Sequence, residues 1–203
     1  MVGNKYLTKT IEKDIEQIEY IGERNLIINS KDWNKTGGIA TVFTPEELKR
    51  IISQEKSLSI KYEDQTVGYF LGCKFGEINN ILGRENINLE KLIRNSKNPD
   101  TNIAIKNNDL YVIQACLEED FRGKINYMEL AKNYLDLIGK YHDKAITEIL
   151  GKNRRSMLPH KRIGFQEYGT LSTNLKTFPE ISLNTDNFDN ENLELKVMYK
   201  LLN

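Results

Sequence analysis

The feature that most constrains this fold is the apolar run Leu-Tyr-Val-Ile-Gln-Ala-Cys-Leu at residues 110–117, in which Gln114 is the sole strongly polar side chain. Such a run, rich in β-branched and aromatic residues, is typical of a central strand covered on both faces. Acidic residues end the run at 118–120, and an amphipathic helical pattern follows over 128–141. A covered strand that leads into a helix predicts an α/β fold.

Helix and strand patterns alternate along the rest of the chain. The segment Thr44-Pro45-Glu46-Glu47 combines a capping hydroxyl, a proline at the first helical position and a glutamate three residues after the cap. This combination predicts a helix over about 45–54. Hydrophobic periodicity predicts further helices over 11–21, around 89–93 and over 153–162, and strands at 5–10, 58–62, 66–75, 145–150, 167–170 and 193–202.

The order of these elements predicts the architecture. Strand–helix–strand units mixed with hairpins imply a mixed sheet with helices on both faces. The length of 203 residues suits a single domain over 1–203, with a long and partly helical insertion at about 76–108. Polar loops are predicted at 29–38 and 183–192.

Charge and composition argue against several classes of protein. Lysine plus arginine equal aspartate plus glutamate at 29 each, whereas nucleic-acid binders usually carry a basic excess. No run approaches the ~20 apolar residues of a membrane span, and the N-terminus lacks a signal-peptide pattern, so we expect a cytoplasmic protein. Cys73 and Cys116 lie in apolar strands, which predicts buried thiols and no metal site.

Two segments carry a resemblance to a known family. Arg122-Gly123-Lys124 follows the central strand and precedes a long helix. About 30 residues later, Asn153, Ser156, His160 and Gly164-Phe165 recur at a fixed spacing. The spacing and the order of elements resemble the GNAT acyltransferases, in which a strand leads into an Arg/Gln-x-x-Gly-x-Gly/Ala turn.

The resemblance implies a mostly antiparallel sheet of about six to seven strands and an acyltransferase activity. The expected reaction is direct transfer of an acetyl group from acetyl-CoA, a co-substrate, to a primary amine. His160 is the expected general acid toward the departing thiolate, and Glu118 or a water molecule accepts the amine proton. The expected CoA-binding residues are Leu117, Arg122, Gly123, Lys124, Ile125, Asn126, Tyr127 and Asn153.

The chain departs from the family pattern inside the turn. The two small residues of the pattern fall at Ile125 and Tyr127. Glycine lets a backbone approach a pyrophosphate and adopt positive φ, which a β-branched residue disfavours. Backbone N–H groups at a helix N-terminus remain as phosphate donors, because they do not depend on the side chain.

Simpler roles stand beside the functional ones. Arg122 and Lys124 either flank the CoA phosphates or are solvated loop cations, and Asn153 either caps a helix or also contacts the pantetheine arm. His160 is either catalytic or a helix-surface residue, and Glu118 is either catalytic or a solvated acid.

Two other functions stay open at this point. The fold could serve as a non-catalytic binding or regulatory module with a degenerate CoA turn, or it could use a longer acyl-CoA or another acyl carrier. The amine acceptor carries no readable signature. Dimers are common among such domains, so a homodimer is one expected assembly, and no nucleic acid or membrane partner is expected.

Overall fold

The computed structural model describes residues 5–26, 39, 41–82, 89–173 and 193–202, so the predicted loops at 29–38 and 183–192 lie outside the described residues. Seven strands form one sheet in the order β1-β2-β3-β4-β5-β7-β6. Every neighbouring pair is antiparallel except β4 and β5, which confirms the mixed, mostly antiparallel sheet. The strands are β1 (Lys5–Lys9), β2 (Leu58–Tyr62), β3 (Gln65–Lys74), β4 (Leu110–Leu117), β5 (Lys144–Leu150), β6 (Gln166–Thr173) and β7 (Leu193–Leu201).

Helices cover both faces of the sheet, as predicted. Of the α-helices in the described ranges, four pack their buried aliphatic residues on one face and two pack on the opposite face. Among the described residues, no helix is long and apolar enough to cross a membrane. The first four are α1 (Ile15–Arg24), α2 (Pro45–Ser53), α3 (Ile78–Leu82) and α4 (Leu89–Asn95), and the other two are α5 (Tyr127–Gly139) and α6 (Arg154–Arg162).

Local sequence signals explain where helices begin. Thr44 accepts a hydrogen bond from the N–H of Glu47, and the Glu47 carboxylate accepts one from the N–H of Thr44, which confirms the predicted capping box of α2. The predicted helix over 11–21 differs at its start. A 3-10 turn at Glu12–Asp14 comes first, and the α-helix begins at Ile15.

The connection between β3 and β4 carries α3 and α4 and docks on β6 through its main chain. Asn98 donates its N–H to the carbonyl of Tyr168 at 2.9 Å, and Thr170 donates to the carbonyl of Ser96 at 3.2 Å. A Cβ atom on Gly169 would lie 1.7 Å from the Ser96 carbonyl oxygen. Glycine at 169 therefore permits this close approach, which places α3 and α4 on the same face as α1.

A buried ion pair joins the first turn of the chain to β2. The Lys61 ammonium lies 2.6 Å from a carboxylate oxygen of Asp14, and both side chains are at least nine-tenths buried. Ser59, Thr66 and the N–H of Ile11 also donate to this carboxylate. Burial raises the pKa of the Asp14 carboxyl, but the hydrogen bonds from Lys61, Ile11 and Thr66 outweigh that effect and hold it below its usual value.

We predict that Asp14→Ala destabilises the protein by about 3–5 kcal/mol, because it leaves the Lys61 ammonium buried without its counter-ion. The measurement is urea unfolding at pH 7. Because the folded pKa of Asp14 is depressed, its contribution to stability is present above the unfolded pKa and is lost as the pH falls through the folded one. The wild type therefore loses this stabilisation in acid below about pH 4.

Asp143→Ala provides the matched control. Asp143 pairs with Lys106 at the same 2.6 Å, but both side chains are more than 60% exposed. Exposed pairs are screened by solvent and contribute little to stability, so this variant should unfold at nearly the same urea concentration as the wild type. Equal losses for the two variants would contradict a structural role for the buried pair.

Candidate active site

The site is built on the divergence of two parallel strands. β4 and β5 pair only at their beginnings, where Leu110 lies opposite Ala145 and Tyr111 opposite Ile146. Beyond that point the strands separate, and Thr147 donates its hydroxyl to the carbonyl of Val112 at 3.0 Å. A side chain thus satisfies a buried carbonyl of β4 at the point where the strands part.

Two adjoining cavities occupy the gap and its mouth. We name the first, of about 150 Å³, the strand cavity, because half of the residues that line it belong to β4 and β5. We name the second, of about 240 Å³, the turn cavity, because the turn after β4 and the start of α6 line it. The two form one continuous cleft, since both are lined by Ile39, Ala115, Asn153 and Ser156.

The turn between β4 and α5 takes its shape from Gly123. Gly123 has φ of +87°, the left-handed region that favours glycine, and no atom lies within 4 Å of the position of a Cβ there. Ile125 is not among the residues with positive φ, and its side chain is 4% exposed in the core. The β-branched residue is therefore unstrained, because the conformation that needs glycine falls two residues earlier.

Tyr127 replaces a small residue of the pattern with a packed ring. It begins α5, lines the turn cavity and stacks on Phe70 with ring centroids 5.7 Å apart. Burial raises the pKa of its hydroxyl, so the phenol stays neutral. Asn126 caps the helix by accepting from the N–H of Glu129 at 3.4 Å.

The basic side chains of the turn differ in what holds them. Arg122 donates to the carbonyl of Leu117 at 3.1 Å and to the side-chain oxygen of Asn25, so it ties the turn to the ends of β4 and α1. Lys124 is exposed, with its ammonium 5.5 Å from the centroid of the Phe121 ring. Of these two, Arg122 lines the turn cavity and Lys124 does not.

Arg155 is a cavity residue that the sequence analysis missed. It lies on the first turn of α6 and lines the turn cavity. The adjacent Arg154 is exposed, as Arg155 is, but lines neither cavity. With Arg122 it makes the described wall of the turn cavity cationic, and no acidic residue lines that wall. The Arg-Arg dipeptide was visible in the sequence, but the face of the helix that each side chain takes was not.

Asn153 has the structural role that the sequence allowed. Its side-chain oxygen accepts from the N–H of Ser156 at 3.1 Å, which caps α6. The residue is 4% exposed and lines both cavities. The cap therefore sits where the two cavities meet.

His160 is a buried, neutral imidazole on the wall of the strand cavity. Its Nδ1 lies 2.8 Å from the carbonyl oxygen of Ser156, and because a carbonyl only accepts, Nδ1 carries the proton. Burial lowers the pKa of His160, and the bond to Ser156 only partly opposes that effect. The ring is therefore neutral near pH 7, with a lone pair on Nε2.

Glu118 lies away from the cleft. Its carboxylate is 3.4 Å from the guanidinium of Arg24 on α1, and the side chain is 7% exposed. Glu118 lines neither cavity, and the neighbouring Glu119 is exposed. The structure thus brings His160 and Asn153 to the cleft and leaves the predicted carboxylate beside α1.

Glu148 is the carboxylate that lines the strand cavity, and the sequence analysis did not single it out. It lies on β5 opposite Val197 of β7, on the face of the sheet that Ile146 and Val197 share with α1 and α2. The signal was present in Ala-Ile-Thr-Glu-Ile-Leu, where one acid interrupts an apolar strand. An acid in a strand usually faces solvent. Only the fold shows that Glu148 faces a cavity instead.

The two cysteines are buried thiols, as predicted. Burial raises the pKa of both Cys73 and Cys116 to about 12. Both are therefore protonated near neutral pH and do not act as nucleophiles.

Comparisons with known proteins were made by sequence and by structure. No family sequence model matches the chain, and no curated protein matches it in sequence. Solved structures do match over nearly the whole chain. An Escherichia coli ribosomal-protein-S18-alanine N-acetyltransferase superimposes with a TM-score of 0.62 at 8% identity, over 98% of this chain and 94% of that one.

Two further structures give the same result. A GNAT-family acetyltransferase from Bacillus cereus ATCC 10987 has a TM-score of 0.56 at 14% identity, over 98% of both chains. Arabidopsis thaliana Naa50, solved in complex with the bisubstrate analogue CoA-Ac-MVNAL, has a TM-score of 0.58 at 14% identity, over 97% of both chains. At such identities the likeness concerns the architecture, and this chain has the fold of the GNAT superfamily.

Proposed function

We propose that this protein is an N-acetyltransferase that moves an acetyl group from acetyl-CoA to a primary amine. The observation that carries the proposal is the divergence of β4 from β5, which opens a cleft that runs from a neutral imidazole to a cationic turn. The structural neighbours named above include an N-acetyltransferase and a GNAT-family acetyltransferase. The buried, protonated thiols suit a reducing compartment such as the cytoplasm.

The residues of the turn cavity fit the chemistry of CoA. Its phosphates are anionic, and the described wall of this cavity carries Arg122 and Arg155 but no acid. The first N–H groups of α5, at Tyr127 and Met128, have no acceptor within the helix and carry its positive dipole end. We propose that CoA is held by residues that line this cavity, namely Leu117, Arg122, Gly123, Ile125, Tyr127, Asn153 and Arg155. Lys124 and Asn126 lie outside the cavity wall on the same turn, and we propose that they contact CoA where it leaves the cavity.

The chain's own part in the chemistry is to move one proton. Acetyl-CoA supplies an activated acetyl thioester; a C–N bond forms as the C–S bond breaks. His160 starts neutral with a lone pair on Nε2, so it begins as a proton acceptor. It takes the proton that the attacking nitrogen loses and returns it to the sulfur. The predicted role as general acid thus requires that His160 first gain a proton.

A non-catalytic module is the alternative that one observation favours. The ring of Tyr127 stands where the family pattern has a small residue, and it forms part of the wall of the turn cavity. Binding of acetyl-CoA distinguishes this alternative from the enzyme.

We predict that acetyl-CoA raises the unfolding temperature by roughly 5–11 °C at about 100 times its dissociation constant. Arg155→Ala should weaken the binding of acetyl-CoA about tenfold or more, because it removes a charge-assisted contact from the turn cavity. Thermal unfolding across a titration of acetyl-CoA measures both effects.

Arg154→Ala is the matched control, because Arg154 precedes Arg155 on the same helix but lines neither cavity. Its acetyl-CoA affinity should equal that of the wild type. Cooperative unfolding without any shift at millimolar acetyl-CoA would contradict the enzyme and favour the non-catalytic module.

We predict that kcat, measured by thiol release between pH 5 and 8, rises through a pKa below the usual 6.5 and then levels off. The reason is that the neutral imidazole accepts the proton, and burial lowers the pKa of His160. His160→Gln should abolish this inflection and lower kcat by about 10²–10⁴-fold.

His142→Gln is the control for this variant. His142 is also buried, also has a lowered pKa and also bonds a carbonyl through Nδ1, but it lies outside both cavities. Its kcat and pH profile should match the wild type. An unchanged profile in His160→Gln would remove the imidazole from the mechanism.

A further inference from the structure

We propose that the strand cavity is the acceptor site and that it takes a small primary ammonium on an apolar carbon skeleton, with Glu148 as its counter-ion. This inference rests on the proposed acetyltransferase function. It concerns the amine, about which the fold alone says nothing.

The first support is the separation of charge along the cleft. The described residues that line the strand cavity include one carboxylate, Glu148, and no lysine or arginine. Those that line the turn cavity include Arg122 and Arg155 and no carboxylate. An amine that enters as a cation is therefore drawn to the end of the cleft opposite the one that attracts phosphates. The bound ammonium then loses one proton to solvent, and the free amine, which now has a lone pair, attacks the thioester in the reaction described above.

The second support is the surroundings of Glu148. Its carboxylate lies partly buried beside the apolar cluster that Ile146 and Val197 join, with Tyr111 on the neighbouring strand. Attraction between opposite charges is several times stronger at such a site than in bulk water. His160 lines the same cavity and is neutral, so it adds no positive charge to this wall.

The third support is the apolar remainder of the wall. Ile39 and Phe43 line one part, and Leu82 and Leu89 line another, at the end of α3 and the start of α4. These residues favour an acceptor with a hydrocarbon skeleton over one with polar groups along its skeleton. A carboxylate on the acceptor, as in a free amino acid, would be repelled by the carboxylate of Glu148.

The cavity also has room for a small acceptor. Its volume of about 150 Å³ suits a molecule of the size of a side chain. 2-Phenylethylamine therefore serves as the probe. Phenylalanine adds only a carboxylate to this skeleton, and phenylalaninamide neutralises that carboxylate and stands in for the end of a peptide.

The test measures release of CoA thiol with saturating acetyl-CoA and each of the three amines. The wild type should acetylate 2-phenylethylamine with a kcat/KM at least about tenfold above that for phenylalanine and above that for phenylalaninamide. Glu148→Gln should lower kcat/KM for 2-phenylethylamine about tenfold to hundredfold, mainly through KM, and should reduce the discrimination against phenylalanine. Glu148→Asp should keep the discrimination, because it keeps the charge.

Controls separate this inference from the function on which it rests. Glu167→Gln removes an exposed carboxylate of β6 outside both cavities and should behave as the wild type. Each variant should keep the thermal shift with acetyl-CoA, which shows that fold and donor site are intact.

Four results would overturn the proposal. If acetyl-CoA does not raise the unfolding temperature of the wild type, both the acetyltransferase function and this inference are wrong. A normal shift with no discrimination between the amines, or with unchanged kinetics in Glu148→Gln, removes only the acceptor site. Preference for phenylalaninamide over 2-phenylethylamine would replace the small amine with a peptide N-terminus.

Discussion

The separation of β4 from β5 is the constraint on which the candidate site depends. Two parallel strands that stay paired bury their backbone groups in a continuous ladder, whereas these two share only the pairs at Leu110 and Tyr111. The gap that follows is maintained from both sides, by α5 and α6 on one face and by α1 to α4 on the other. Helices that pack on both faces hold the sheet together across this gap.

The electrostatics of the cleft follow from which elements meet there. α6 contributes an arginine near its start and a neutral imidazole near its end, and β5 contributes a carboxylate from the opposite wall. Opposite charges placed at the two ends of a cleft orient a substrate pair before any bond changes. His160 is also titratable, but burial lowers its pKa and keeps the imidazole neutral.

Local sequence signals predicted most of the helices and strands and part of the candidate site. The capping box at Thr44 and the apolar run at 110–117 predicted α2 and β4, because both patterns are read within a few residues. Arg155 and Glu148 were not found, because their role depends on helix phase and on the side of the sheet they face. Glu118 was favoured by its place at the end of β4, but only the packed structure shows that Arg24 holds it.

The absence of a side chain at Gly169 protects an outer strand of the sheet from pairing with other molecules in solution. β6 is the last strand of the sheet, and an open outer strand invites pairing with another chain. Here the segment around Ser96 occupies that position through main-chain hydrogen bonds, which any side chain at 169 would push away. At the other end of the sheet, β1 carries Lys5 and Lys9, which discourage the same contact by charge. Protection against edge-to-edge aggregation thus rests at one side of the molecule on the absence of a single methyl group.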